Sequence, residues 1–195
     1  MNVLVTGASG QLGRSLRDSA VNSPHHFIFS DLVQDECTVS LDIADPEAVA
    51  EAVKAYEADV IVNCAAYTDV NRAESDAGKA ALINSYAPSV LAGAARDAGA
   101  LLMHISTDYV FDGNACVPYR EDDPTSPVSV YGKTKLDGEL NIKESGCRYM
   151  IFRTAWLYSN YGKNFYKTME ALTADKPQIK VVADQVGMIL DTDME

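Results

Sequence analysis

The sequence predicts a doubly wound α/β domain, a parallel sheet with helices on both faces, and three observations carry that prediction. Short apolar runs with β-branched members recur along the chain and alternate with helical patterns. The first run passes directly into a glycine-rich turn that opens a helix. At 195 residues and 47% hydrophobic, the chain can bury a substantial core as one domain, or as one domain with a fragment of a second.

Val3-Leu4-Val5 is the first buried strand, and Thr6 to Gly13 follows it with glycines at positions 7, 10 and 13. Glycine lacks a Cβ, so such a turn can be tight and its backbone N–H groups can approach a phosphate closely. A helix starting near Gln11 aims its positive N-terminal end at the same place. Phe27 to Ser30 is the second strand and ends at Asp31. Asp45-Pro46-Glu47 is an N-cap with proline at the first helical position, and its helix runs to about Tyr56 with Val49 and Val53 on one face.

Asp59 to Cys64 is the third strand, and the small residues Ala65 and Ala66 follow its C-terminal end. That edge is where ligands bind in open α/β sheets. A long alanine-rich helical region then runs to Ala98, stopped by Gly99 and kinked or divided at Pro88. Ala100 to Ser106 is the fourth strand, with His104 expected as a packed core residue. The segment 112–127 reads as a surface loop, Ser129 to Ser145 as a helix, and Tyr149 to Thr154 as the fifth strand. A helix over Asn164 to Ala174 and a sixth strand over Gln178 to Val182 complete the pattern.

A net charge of −12 argues against a nucleic-acid or anionic-membrane partner. The four cysteines are scattered without a C-x-x-C pair, which predicts reduced thiols, no zinc or other metal site, and a cytoplasmic protein. The start shows no basic region followed by an apolar run, and no apolar run approaches the roughly 18 residues of a membrane span.

Asp31 stands about 20 residues beyond the glycine turn, where a carboxylate accepts hydrogen bonds from adenine-ribose hydroxyls. It repels a 2′-phosphate, which favours NADH over NADPH. Tyr131 and Lys135 are four apart on one helix, so their side chains share a face. A neighbouring ammonium lowers a phenol's pKa and makes it a usable proton donor to a carbonyl oxygen. Thr107, at the end of the fourth strand, can hydrogen-bond a ketone as its oxygen gains charge. The competing reading of Tyr131 and Lys135 is a surface phenol and a solvated cation.

The segments TGASGQLG (Thr6–Gly13), VNCAAYT (Val62–Thr68), STDYVFDG (Ser106–Gly113), YGKTK (Tyr131–Lys135), RTAWLY (Arg153–Tyr158) and Asp184-Gln185-Val186-Gly187 form a recognisable set. Through them the chain resembles the extended short-chain dehydrogenase/reductase superfamily and, within it, the dTDP-4-dehydrorhamnose reductases. The resemblance implies a Rossmann-like domain over residues 1–160 that binds NAD(P)H. Residues 161–195 are then a last helix and strand with the start of a substrate-binding region that is largely missing from this sequence. It implies reduction of the 4-keto group of dTDP-4-dehydro-6-deoxy-L-mannose, with Tyr131 as proton donor, Lys135 tuning it and holding the nicotinamide ribose, and Thr107 on the ketone.

On the same ground Gly7, Gly10, Gln11, Leu12 and Gly13 match the pyrophosphate turn, and Asp31, Asp42 and Ile43 match adenosine contacts. Ala66, Tyr67 and Thr68 match the nicotinamide side, while Thr107, Asp108 and Trp156 match the sugar nucleotide; Trp156 reads nearly as well as core packing. After Gly187 the family places a Pro-Thr pair, where this sequence reads Met188 to Glu195. Poor turnover by this chain is the corresponding expectation. A homodimer is compatible with the resemblance. The alternatives are a non-catalytic NAD(P)-binding regulatory subunit, resembling that of methionine adenosyltransferase, and a nucleotide-sugar epimerase or dehydratase.

Overall fold

The computed structural model describes residues 1–182, 184–187 and 190–192. Met188, Ile189 and residues 193–195, part of the stretch where the sequence leaves the family pattern, lie outside them. Six parallel strands make the main sheet: β1 (Asn2–Thr6), β2 (His26–Asp31), β3 (Val39–Ser40), β4 (Val60–Asn63), β5 (Leu101–Thr107) and β6 (Arg148–Thr154), in the order β3-β2-β1-β4-β5-β6. The chain leaves β1 toward one edge of the sheet and returns to β4 on its other side. That reversal makes the C-terminal ends of β1 and β4 the topological switch point, where a crevice for ligand opens. This is the doubly wound Rossmann-like architecture.

Alternation along the strands divides the core. Leu4, Ile61 and Leu102 face α2 (Pro46–Ala55), α5 (Ala87–Ala98) and α6 (Val130–Glu144), packing with Val49, Val53, Leu91, Ala95 and Ile142. Val3, Val5 and Val60 face the other way, with Leu16 of α1 (Gln11–Ala20) among their neighbours. Along β6 that second face is open, with Met150 and Phe152 46% and 38% exposed.

Helix α2 starts as its sequence dictates, Asp45 accepting from the Glu47 and Ala48 amides with Pro46 in the first turn. The long helical region is divided into α3 (Val70–Ala73), α4 (Ala77–Ala81), a π-helical turn over Leu82–Tyr86, and α5 with Pro88 in its first turn. Pro88 has no amide to donate into the preceding turn, and it stands just where the helical ladder changes from π to α spacing. Helix α7 (Phe165–Asp175) follows a short strand β7 (Leu157–Tyr158), which pairs with β8 (Leu190–Asp191) outside the main sheet.

The strand expected over Gln178 to Val182 is not formed. Ile179, Val181 and Val182 carry β propensity, but a strand needs a neighbour's free edge, and these residues lie mostly exposed with no ladder.

Candidate active site

The glycine turn is fixed by close approach. Gly7 has φ +70, and a Cβ built on it falls 2.5 Å from the Ala65 amide nitrogen. At Gly13 a Cβ falls 2.5 Å from the Ala8 Cα and from the Gly7 carbonyl oxygen. The turn is therefore a cradle that any side chain would fill. Gly10 caps α1 without a side chain, so the first-turn amides of Gln11, Leu12 and Gly13 remain available to an anion. Gly7→Ala should cost more than the ~1–2 kcal/mol of the left-handed conformation alone, because its methyl also meets the Ala65 backbone. Urea unfolding measures this, and an unchanged midpoint would show that the turn rearranges freely.

Asp31 sits beside the turn, its two carboxylate oxygens accepting from the Ser9 amide at 2.9 Å and the Leu32 amide at 2.7 Å. Asp42 is exposed and accepts from the Ala44 amide, whereas the Ile43 side chain is buried in the main core. Only the backbone of Ile43 could then serve a ligand. Beyond β4, Ala66 and Tyr67 are half-buried and Thr68 is exposed.

Asn84 holds that stretch, accepting from the Tyr67 amide at 2.8 Å and donating to the Tyr67 carbonyl at 3.1 Å and to Thr134 at 3.3 Å. The π turn delivers this 1% exposed side chain. Such turns often mark functional segments. Sequence reading missed Asn84; its one signal is the proline four residues on.

Thr107 ends β5, 4% exposed. Its hydroxyl accepts from the Tyr109 amide and donates to the Asp108 carboxylate, both at 3.1 Å. Helix α6 brings Tyr131 to this group: its ring meets Tyr109 edge-on at 5.6 Å, and the Thr107 hydroxyl is near enough to pull on the phenol's ionisation. Gly132 permits the approach, since a Cβ there would overlap the Tyr109 carbonyl. Ser129 caps α6 through the Gly132 amide at 3.0 Å.

Lys135 is 1% exposed, and its Nζ donates to the Ile105 carbonyl at 2.6 Å. Burial pulls its pKa down to about 8, against the pull of Glu139. The lowered phenol pKa expected from this lysine is not found. Burial pushes Tyr131 upward, Asp108 adds to the rise, and only the Thr107 hydroxyl opposes it.

Glu139, one turn below Lys135, is fully buried and paired with Arg153 at 2.7 Å. Burial also raises Asp108. Trp156 is not a core residue. It is 44% exposed just past the end of β6, has φ +44, and lies against Gly187, whose built Cβ falls 3.1 Å from the indole. Because Thr107 and Thr154 are register partners, Trp156 belongs to the same sheet edge as Thr107.

Similarity to known proteins covers nearly the whole chain. The RmlD substrate binding domain family matches residues 1–192. A dTDP-4-dehydrorhamnose reductase of Burkholderia thailandensis is 46% identical over 188 residues, covering 96% of this chain and 60% of the relative. One from Escherichia coli K12 is 42% identical over 187 residues, 96% of this chain and 62% of the relative.

Among solved structures, a dTDP-4-dehydrorhamnose reductase from Clostridium acetobutylicum superposes with a TM-score of 0.92 at 44% identity, covering 99% of this chain and 66% of that one. One from Bacillus anthracis, solved in complex with NADP, gives 0.90 at 36% identity, covering 98% of this chain and 66% of that one. The chain spans about three fifths of the length of the curated relatives it matches.

Proposed function

The chain belongs to the RmlD substrate-binding family, and from that premise we propose that it serves NAD(P)H-dependent reduction of dTDP-4-dehydro-6-deoxy-L-mannose to dTDP-L-rhamnose. The observation that carries this reading is the convergence of Thr107, Tyr131 and the buried Lys135 at the same sheet edge as the glycine cradle. A reduced nicotinamide supplies hydride when bound; the remaining chemistry falls to side chains of this chain. Thr107 receives the ketone oxygen, and Tyr131, held protonated by burial, gives it a proton. Lys135 holds the nicotinamide ribose, and the amides of residues 11–13 hold the pyrophosphate. Asp108 and Trp156 face the sugar nucleotide.

In this reading residues 1–160 are the cofactor unit and 161–195 begin the substrate region. The two are joined: Tyr161 donates to Asp18 of α1 at 2.6 Å, and the Ser15 and Thr192 hydroxyls share a hydrogen bond at 2.9 Å. Among the described residues no helix is long and apolar enough to cross a membrane; a cytoplasmic setting is part of the proposal. A homodimer is the assembly to test by sedimentation.

Calorimetric titration of the chain with NADH and NADPH, followed by absorbance assays with dTDP- and UDP-linked 4-keto sugars, tests the proposal. Binding of either cofactor is expected, with slow oxidation in the presence of the dTDP sugar. Asp31→Ala should narrow any NADH preference. Absence of binding by folded protein would overturn the reading.

A further inference from the structure

We propose that a directed row of hydrogen bonds, from the Ala65 amide through Asn63 and His104, makes His104 a positioning residue that adds to burial in disfavouring the charged form of Lys135. Thr6, Asn63 and His104 are register partners on adjacent strands β1, β4 and β5, so the row crosses the sheet beneath the crevice. Thr6 and Asn63 are 1% exposed and His104 is fully buried, so water does not mediate these bonds.

The direction follows from groups that can only donate. The Ala65 amide lies 3.1 Å from Asn63 Oδ1, which identifies that atom as the oxygen; Thr6 Oγ1 adds a second donor at 2.8 Å. The other end of the Asn63 side chain is then its NH2 group, 3.0 Å from His104 Nδ1, and that nitrogen must accept. Burial holds the imidazole neutral. A neutral ring with a bare Nδ1 carries its proton on Nε2. His104 Nε2 faces Lys135 Nζ at 3.4 Å.

A ring N–H directed at an ammonium opposes donor to donor; directed at a neutral amine it finds a lone pair. The 3.4 Å separation is longer than a well-made hydrogen bond, while the same Nζ sits 2.6 Å from the Ile105 carbonyl. Reversing the row would turn the Asn63 NH2 toward the Ala65 amide, leaving two donors face to face.

The other ionisable groups near Lys135 do not supply this effect. Cys64 on β4 is pushed up to about 12 by burial and stays a neutral thiol. Tyr131 on α6 is likewise protonated, and Glu139 favours the ammonium while bound to Arg153 and Ser106. His104, on β5, is the neighbour that opposes the charge by the direction of its hydrogen. Lys135 is then a cation that releases its proton not far above neutral pH, a poise that bears on the ribose contact assigned to it. That consequence rests on the function proposed above, whereas the hydrogen-bond order can be measured on the chain without ligand.

Side-chain 15N spectra of the 195-residue chain should show His104 with a proton on Nε2 and a bare Nδ1. Asn63→Asp offers acceptors on both sides, so the tautomer should reverse and the 13Cε titration midpoint of Lys135 should rise by about one pH unit or more. Adding His104→Phe keeps the new carboxylate but removes the ring, and most of that rise should vanish. Thr6→Val, which spares the Ala65–Asn63 bond, should leave the tautomer unchanged. A proton on Nδ1 in the parent chain overturns the proposal, and that spectrum decides even where a variant fails to fold. A tautomer unmoved by Asn63→Asp, or a midpoint rise that survives loss of the ring, overturns it as well.

Discussion

Tyr131→Phe should lower ketone reduction by about 100- to 10,000-fold, the usual cost of losing a general acid, with NADH and NADPH affinities unchanged. The substitution removes one oxygen. The Tyr109–Tyr131 edge contact at 5.6 Å needs only the ring, and Thr107 keeps its bonds to the Tyr109 amide and Asp108. The fold should therefore survive.

Burial raises the phenol above its ordinary value of 10.0, so it is protonated throughout the physiological range and can donate. The alkaline limit on activity should come from Lys135, whose charge is lost as pH rises through about 8. Single-turnover oxidation of NADH by parent and variant separates chemistry from binding. Parent-like turnover would move the proton donor elsewhere. Asp108 would be the first alternative, because burial raises its carboxyl above the ordinary range.

What could be read beforehand was local. The glycines at 7, 10 and 13, the Asp45 cap with Pro46, and the four-residue step from Tyr131 to Lys135 each act within one or two turns of chain. Their meaning survives without knowledge of the fold, so the crevice and the phenol–lysine face were legible.

Pairings set by register were not. Asn63 and His104 are 41 residues apart and meet only because β4 and β5 align them side by side. His104 looked like an apolar-flanked core residue, and burial bears that out, but its two ring nitrogens are engaged in a way that strand periodicity does not encode. The Tyr131 shift also came out opposite in sign, since spacing places a lysine on the same face but does not say where its Nζ points. That nitrogen turns to the Ile105 carbonyl and His104. The failed strand at 178–182 has the same origin: propensity is local, whereas a partner edge is not.

Glu139→Ala should destabilise the chain by about 3–5 kcal/mol at neutral pH, the range for breaking a buried ion pair. Its carboxylate is fully buried and takes both prongs of the Arg153 guanidinium, Nε to Oε1 at 2.9 Å and Nη2 to Oε2 at 2.7 Å. Ser106 donates to Oε1 at 2.6 Å, and Lys143 stands 3.5 Å from Oε2. One side chain thereby ties α6 to β5 and β6, one turn below Lys135 and through Ser106, the residue before Thr107. Its removal opens a cavity and leaves the Ser106 hydroxyl without its acceptor. Arg153 still reaches solvent with 16% of its side chain, which favours the lower end of the range.

The sign of the pH dependence follows from the direction of the shift. These partners, Arg153 foremost, outweigh the opposing effect of burial and hold the Glu139 carboxyl below its ordinary 4.5. Its contribution is thus fully present above about 4.5 and is lost as pH falls through the lower folded value. Urea unfolding of parent and variant should show the full gap at pH 7 and a shrinking one as the medium becomes strongly acidic. A gap of equal size at both extremes would mean that Glu139 acts through packing volume alone, with no weight on the ion pair.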